Sequence, residues 1–146
     1  MIVTSKIKMD FQNQGIIPRI EAVQGDVNTR VLELSLYTDG AAWEVPADVI
    51  VQVRYRKANG VGGIYDLLPD GAPAWEVQGN CVRVYLAPQM LTVSGLLLMQ
   101  VELLKGGDSL STFPVHVLVS PNLSDEELEE EAYVNMLTWA ALELDP

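Results

Sequence analysis

Apolar and polar side chains alternate along most of the first 120 residues of the chain. Leu32, Leu34 and Leu36, for example, are separated by Glu33 and Ser35. A period of two residues is typical of β-strands that bury one face and expose the other. The pattern predicts about seven or eight short strands. They lie within residues 3–11, 16–23, 32–37, 49–56, 82–86, 97–103 and 113–119.

Short stretches rich in Gly, Asn and Asp separate these runs, as at Asp39-Gly40 and Asn59-Gly60, and such residues favour tight turns. Pro18 lacks an N–H donor and marks the run at 16–23 as an edge strand or a strand start. The pattern predicts an all-β fold in which two antiparallel sheets pack on a shared core as a β-sandwich. An eight-stranded barrel would give nearly the same pattern and stays an open alternative.

The hydrophobic period changes after residue 120, which divides the chain into a β domain at 1–120 and an acidic segment at 121–146. Ser124 and Glu127 have the spacing of a capping box, which predicts the start of a helix. Apolar side chains then recur at helical spacing and define one broad face of an amphipathic C-terminal α-helix. The candidate assembly interface consists of Leu128, Tyr133, Met136, Leu137, Trp139, Ala140 and Leu144.

A solitary helix of about 20 residues is marginal in water, so its apolar face must cover something. It could fold back on its own β domain or pack on neighbouring subunits. The acids that crowd its first two turns suit a solvated outer face and favour the second alternative. We therefore expect a homo-oligomer that assembles through this helix.

The formal net charge of −11 is distributed unevenly along the chain. Residues 1–120 carry twelve acids and nine bases, a net of 9 − 12 = −3, whereas residues 121–146 carry eight acids and no base. A phosphate backbone or an anionic membrane would repel such a chain, so neither nucleic acid nor a membrane is an expected partner. The sequence has neither a run of about 18 apolar residues nor a signal peptide, which predicts a soluble protein made in a cytoplasm.

The residues that usually carry catalysis are sparse. His116 is the sole histidine and lies in mid-strand between Val115 and Val117, where a nucleophilic triad has no recognisable partner. Cys81 is the sole cysteine, and one histidine with one cysteine is too few for a typical zinc site. The glycine-rich stretch at 60–63 lacks the Lys-Ser or Lys-Thr of a phosphate loop. We predict a protein that is not an enzyme and that uses no cofactor or metal.

Trp43 and Trp75 lie in turn-rich segments. Exposed tryptophan rings can stack on sugar rings, so a carbohydrate-binding module on a virion or cell surface is the alternative function. The other interpretation is that both rings close the ends of the core. Because tryptophan is usually largely buried, the second interpretation is favoured.

The cluster of polar residues between the second and third predicted strands is interpreted as a structural turn. Glycine can adopt the positive φ that other residues resist, and the short polar side chains can hydrogen-bond to nearby backbone groups. Arg30 could pair with Asp26 and hold the turn rigid. The turn residues are Gln24, Gly25, Asp26, Asn28, Thr29 and Arg30.

Five segments form an ordered set: IEAVQGDVNTR at 20–30, LYTDG at 36–40, VRYRK at 53–57, LAPQMLTVSG at 86–95 and LSTFPV at 110–115. Each is a weak motif alone, but the ordered set is fairly specific and covers most of residues 16–120. The set resembles the N-terminal immunoglobulin-like domain of phage baseplate upper proteins, which are structural parts of siphophage tails and prophages of Gram-positive bacteria.

The resemblance implies an immunoglobulin-like sandwich that docks onto the tail hub. It also implies a following helical segment that oligomerises, often as a trimer, to carry receptor-binding proteins. The expected location is the phage tail or baseplate of the virion, after synthesis in the cytoplasm of a bacterial host. Only a single predicted helix follows the β domain, so we expect a short structural or adaptor subunit that contacts other tail and baseplate proteins.

Overall fold

Eleven β-strands and one short 3₁₀-helix make up the part of the chain that the computed structural model describes, residues 1–123. The strands are β1 (Val3–Asp10), β2 (Arg19–Val23), β3 (Arg30–Thr38), β4 (Ala41–Ala42), β5 (Ile50–Arg56), β6 (Gly62–Tyr65), β7 (Trp75–Gln78), β8 (Cys81–Tyr85), β9 (Gly95–Lys105), β10 (Asp108–Ser111) and β11 (Val115–Ser120). The 3₁₀-helix (Pro88–Leu91) lies between β8 and β9. The predicted all-β class is confirmed.

The predicted C-terminal helix falls outside the described residues. So do all the residues of the candidate assembly interface, which are Leu128, Tyr133, Met136, Leu137, Trp139, Ala140 and Leu144. The helix and its role stay predictions.

The strands form two sheets. The first has the order β1-β3-β8-β7, with β4 paired to the end of β3, and the second has the order β2-β11-β9-β5-β6, with β10 paired to β9. Pro18 directly precedes β2, which is an edge strand of the second sheet. The prediction of an edge strand or a strand start at Pro18 is therefore confirmed.

Two of the strand pairs are parallel, β1 with β3 and β2 with β11. Both sheets are therefore mixed, and the prediction of antiparallel sheets is wrong at these two pairs. The physical reason is that side chains alternate with the same period in parallel and in antiparallel strands, so the pattern does not report strand direction. Direction is usually inferred from short hairpins. Here the chain instead passes from the first sheet to the second between Asp10 and Arg19.

Side chains from both sheets meet in one hydrophobic core. Leu32, Leu34 and Leu36 of β3 and Leu97 and Met99 of β9 are each at most 1% exposed. Full burial of one such side chain stabilises the fold by roughly 1.5–3 kcal/mol. Within residues 1–123 the strands belong to two separate sheets, so two sheets on a shared core are confirmed and the single closed barrel is not found there.

The hydroxyl of Tyr65 joins the two sheets across the core. Tyr65, at the end of β6 in the second sheet, donates to the carbonyl of Tyr85 in the first sheet at 2.6 Å. The same oxygen accepts the buried N–H of Ala87 at 3.2 Å. Burial raises the pKa of Tyr65 well above its usual range, so the phenol keeps the proton that it donates.

Candidate functional site

The Gln24–Arg30 turn lies at one end of the two sheets, between β2 and β3. Gly25 has a φ of 88° and Asn28 a φ of 58°, in the left-handed region that glycine and asparagine tolerate best. Asp26 Oδ2 accepts the backbone N–H of Val23 at 3.3 Å and the Nε–H of Arg30 at 2.7 Å. The two charged side chains are about one quarter exposed, so the predicted Asp26–Arg30 pair is present and partly shielded from solvent.

Hydrogen bonds fasten this turn to the loop that joins β8 to β9. The N–H of Gly25 donates to the carbonyl of Leu91 at 3.0 Å, and Gln24 Nε2 donates to the carbonyl of Thr92 at 2.9 Å. Leu91 is fully buried at the end of the 3₁₀-helix. The turn is therefore anchored to the core through its backbone.

The tip of the β5–β6 hairpin reaches the same loop. Lys57 Nζ donates to Thr92 Oγ1 at 3.0 Å. Gly95, with a φ of +116°, packs so closely on Ala58 that a Cβ at position 95 would lie 2.7 Å from the Cβ of Ala58. A glycine is therefore required there for both its conformation and its size.

The chain that follows β11 is also held at this place. Asn122 Nδ2 donates to the carbonyl of Gln24 at 3.2 Å, and the N–H of Asn122 donates to Gln24 Oε1 at 3.4 Å. We call this region the exit end, because the chain leaves the described body there. The exit end comprises residues 24–30, 57–61, 86–95 and 121–123.

Three of the five segments that carry the family resemblance contribute to the exit end. They are the segments at 20–30, 53–57 and 86–95, which are far apart in sequence and joined here by hydrogen bonds. The spacing along the chain does not show this clustering, since it depends on which strands become neighbours. The geometry is that of a rigid, hydrogen-bonded surface.

Among residues 1–123, His116 and Cys81 are not brought together, because they lie on different sheets. His116 lies half-buried on the outer face of the second sheet, opposite Arg19 in β2 and Leu98 in β9. Cys81 lies on the first sheet, where burial and then the neighbouring Glu33 raise the pKa of its thiol. A raised pKa makes a cysteine a poor nucleophile.

Within residues 1–123, no three His, Cys, Asp or Glu side chains are grouped in a way that could hold a metal ion. No helix among those residues has the length and apolar character needed to cross a membrane.

The two tryptophans proposed for sugar stacking both pack against the core and are only half-exposed. Trp43 makes an edge-to-face contact with Phe11, with ring centroids 5.1 Å apart. Trp75 pairs with Val84 of β8, which in turn pairs with Leu32 of β3. The backbone N–H of Trp43 instead donates to the carbonyl of Leu36, four residues further along β3. Four residues of strand correspond to about 13 Å, so the structure does not bring the two rings together. Their packing favours the interpretation that they cover the core.

A shallow groove of about 560 Å³ lies on the outer face of the second sheet, along β5, β6 and β9. We call it the outer groove. Its lining includes two arginines, Arg54 and Arg56, and the apolar side chains of Ile64, Leu98 and Pro114.

Sequence reasoning missed the outer groove, although a signal for it was present. The run Gly95–Met99 is apolar at every position and so breaks the alternation of the other strands. Such a strand is apolar on both faces. Leu97 and Met99 point into the core, and Leu96 and Leu98 are left on the outer face, where Leu96 is 45% exposed.

Comparisons with protein-family models and with curated proteins find no match for this chain.

Proposed function

We propose that this chain is a non-enzymatic structural component of a bacteriophage or prophage tail or baseplate. Its β domain would dock to other tail proteins, and its C-terminal helix would assemble the copies. The observation that carries the proposal is the exit end, where three resemblance segments form one hydrogen-bonded surface. A surface held by hydrogen bonds suits protein–protein docking. Its charged side chains Asp26 and Lys57 are engaged in bonds within the exit end, and we propose no catalytic role for them.

We further propose that the two sheets form an immunoglobulin-like sandwich. The support is the pairing of two mixed sheets on one core together with the order of the five segments. The protein would act in the virion after synthesis in the cytoplasm of its bacterial host.

Assembly through residues 121–146, with a trimer favoured, rests on burial. A free helix of this length is marginal in water. Burying two or three of its large apolar side chains would contribute roughly 1.5–3 kcal/mol each. The partner surface that covers them is therefore expected to be protein.

The role of the helix is tested on the full chain by sedimentation velocity. We expect the wild type to sediment as an oligomer and Leu137→Asp to sediment as a monomer, because the new carboxylate falls on the apolar face. Thr138→Asp introduces the same charge on the opposite side of the predicted helix and should keep the oligomer. A wild-type monomer, or an oligomer that persists in Leu137→Asp, would contradict the assembly role.

The location is tested by electron microscopy of tail particles labelled through this chain. Label at the tail tip or baseplate is the expected result. Dose-dependent glycan binding that is lost in Trp75→Ala, with no label on tails, would instead support the carbohydrate-binding alternative.

A further inference from the structure

We propose that the outer groove receives the C-terminal segment, residues 124–146, of a second copy of this chain. This inference rests on the proposed assembly role of that segment and names the surface that it contacts. The groove combines an apolar floor with positive charge, the two properties that an amphipathic, acidic segment would contact. Ile64 is 53% exposed, and Leu98 lies opposite Arg56 in the register of β5 and β9.

The charge of the segment argues against packing of the segments on one another alone. It carries no Lys or Arg, so a bundle of several copies would bring like charges together without compensation. Its acids are Asp125, Glu126, Glu127, Glu129, Glu130, Glu131, Glu143 and Asp145. A partner surface with a positive charge that is not already paired lessens this repulsion.

The outer groove provides one such charge, Arg56, next to apolar side chains. Arg54 makes a bidentate ion pair with Glu102, in which Nε donates to Oε2 at 2.9 Å and Nη2 donates to Oε1 at 3.3 Å. Arg56 is exposed and makes no ion pair with a carboxylate within residues 1–123. Its guanidinium is therefore available to an acidic partner that covers Ile64 and Leu98.

The path of the chain at the exit end favours a second copy over the same copy. The N–H of Gln24 donates to the carbonyl of Ser120, and Asn122 then bonds to Gln24. At residue 122 the chain therefore still runs alongside Gln24, the residue that follows β2. Leu123 is 73% exposed, and the predicted helix begins at the Ser124 cap. A single residue is left to reverse the chain onto its own sheet, and a helix of about 20 residues would then extend over roughly 30 Å, which favours contact with a second copy.

Disulfide cross-linking between two differently substituted full chains tests the contact. One chain carries Ile64→Cys, the other carries Leu137→Cys, and Cys81→Ser removes the native thiol from both. Under mild oxidation we expect a cross-linked heterodimer. The matched control replaces Ile64→Cys by Ile16→Cys, because Ile16 is 95% exposed and lies outside the groove; it should give no heterodimer.

Charge reversal provides the second measurement. Arg56→Glu should weaken association of the full chain by at least about tenfold. Lys8→Glu makes the same charge change on an exposed residue of the first sheet and should leave association within about twofold of the wild type.

The outcomes separate this inference from the proposed function. If Leu137→Asp dissociates the oligomer but the Ile64→Cys mixture gives no heterodimer and Arg56→Glu associates normally, the groove contact is overturned and the assembly role stands. If a chain with both Ile64→Cys and Leu137→Cys forms only an internal disulfide and the mixture forms none, the segment covers its own copy and the inference is likewise overturned. If the oligomer survives Leu137→Asp, the assembly role itself fails.

Discussion

At the scale of single residues, the hydroxyl of Tyr65 has the clearest structural task. It bonds to Tyr85 of the other sheet and to Ala87 in the loop after that strand, at an otherwise apolar position. A buried hydrogen bond contributes only modestly to the free energy of folding, but removing one partner is costly, because it leaves a buried polar group unsatisfied. The tyrosine therefore fixes how the edge of one sheet meets the other.

Replacing Tyr65 by phenylalanine should lower the free energy of unfolding by roughly 1–3 kcal/mol, because the buried N–H of Ala87 loses its acceptor. Urea unfolding measures the change. Tyr37→Phe is the control, since the Tyr37 hydroxyl makes no hydrogen bond within residues 1–123, and we expect a change below about 0.5 kcal/mol. Equal losses in the two variants would contradict the assigned role.

At the scale of elements, Asp10 connects the end of β1 to the turn between β3 and β4. Its carboxylate accepts the N–H groups of Gln12 at 2.9 Å, Asp39 at 3.1 Å and Gly40 at 2.8 Å. The bonds from Gln12 and then Gly40 hold the pKa of Asp10 below its ordinary value of 3.8. The charged form is therefore the one that the fold stabilises.

This lowered pKa predicts the direction of a pH effect. Because the folded pKa lies below the unfolded one, the stabilisation is present above about pH 4 and is lost as pH falls through the folded pKa. Thermal unfolding should show Asp10→Asn less stable than the wild type at pH 7, with the gap closing towards pH 2. Asp108→Asn is the control, since that side chain makes no hydrogen bond in the described residues. A gap that widens in acid would refute the assignment.

The Gln24–Arg30 turn allows a second prediction at this scale. Asp26→Ala removes a partly shielded ion pair and a backbone bond, so we expect a loss of about 1–2 kcal/mol and a lower melting temperature. Glu21→Ala is the matched control. It removes an exposed 3.7 Å pair with Arg19 and should cost under about 0.5 kcal/mol. Unchanged stability of Asp26→Ala with loss of partner binding would mean that the turn is a contact site and not a structural one.

The seven strands within the predicted ranges were predictable because their alternation reports burial directly, whereas the four short strands β4, β6, β7 and β10 were not predicted. Leu32, Leu34 and Leu36 are all fully buried, as the pattern predicts. Strand direction and strand neighbours were not predictable, because they depend on contacts between distant segments. The exit end illustrates the limit: Gly25 and Asp26 indicated a turn, but nothing local indicated that Thr92 or Asn122 would bond to Gln24.

At the scale of the whole molecule, the net charge is distributed unevenly along the chain. Residues 1–120 are nearly balanced in charge, and the acids of residues 121–146 add most of the net charge. A single sequence shows this division plainly. It does not show the outer groove, because the groove is formed by β5, β6 and β9 only after the sheet is built.

The parallel pairing of β2 with β11 affects how the protein is made. Ile20 pairs with Val117, 117 − 20 = 97 residues later, and β2 has no other neighbour in its sheet. A ribosome that adds about 5–20 residues per second needs roughly 5–20 s to synthesise that interval. During that time β2, which contains Ile20 and Ala22, has no strand to pair with. We therefore expect β2 to join its sheet, and the chain to acquire its final shape, only after β11 leaves the ribosome.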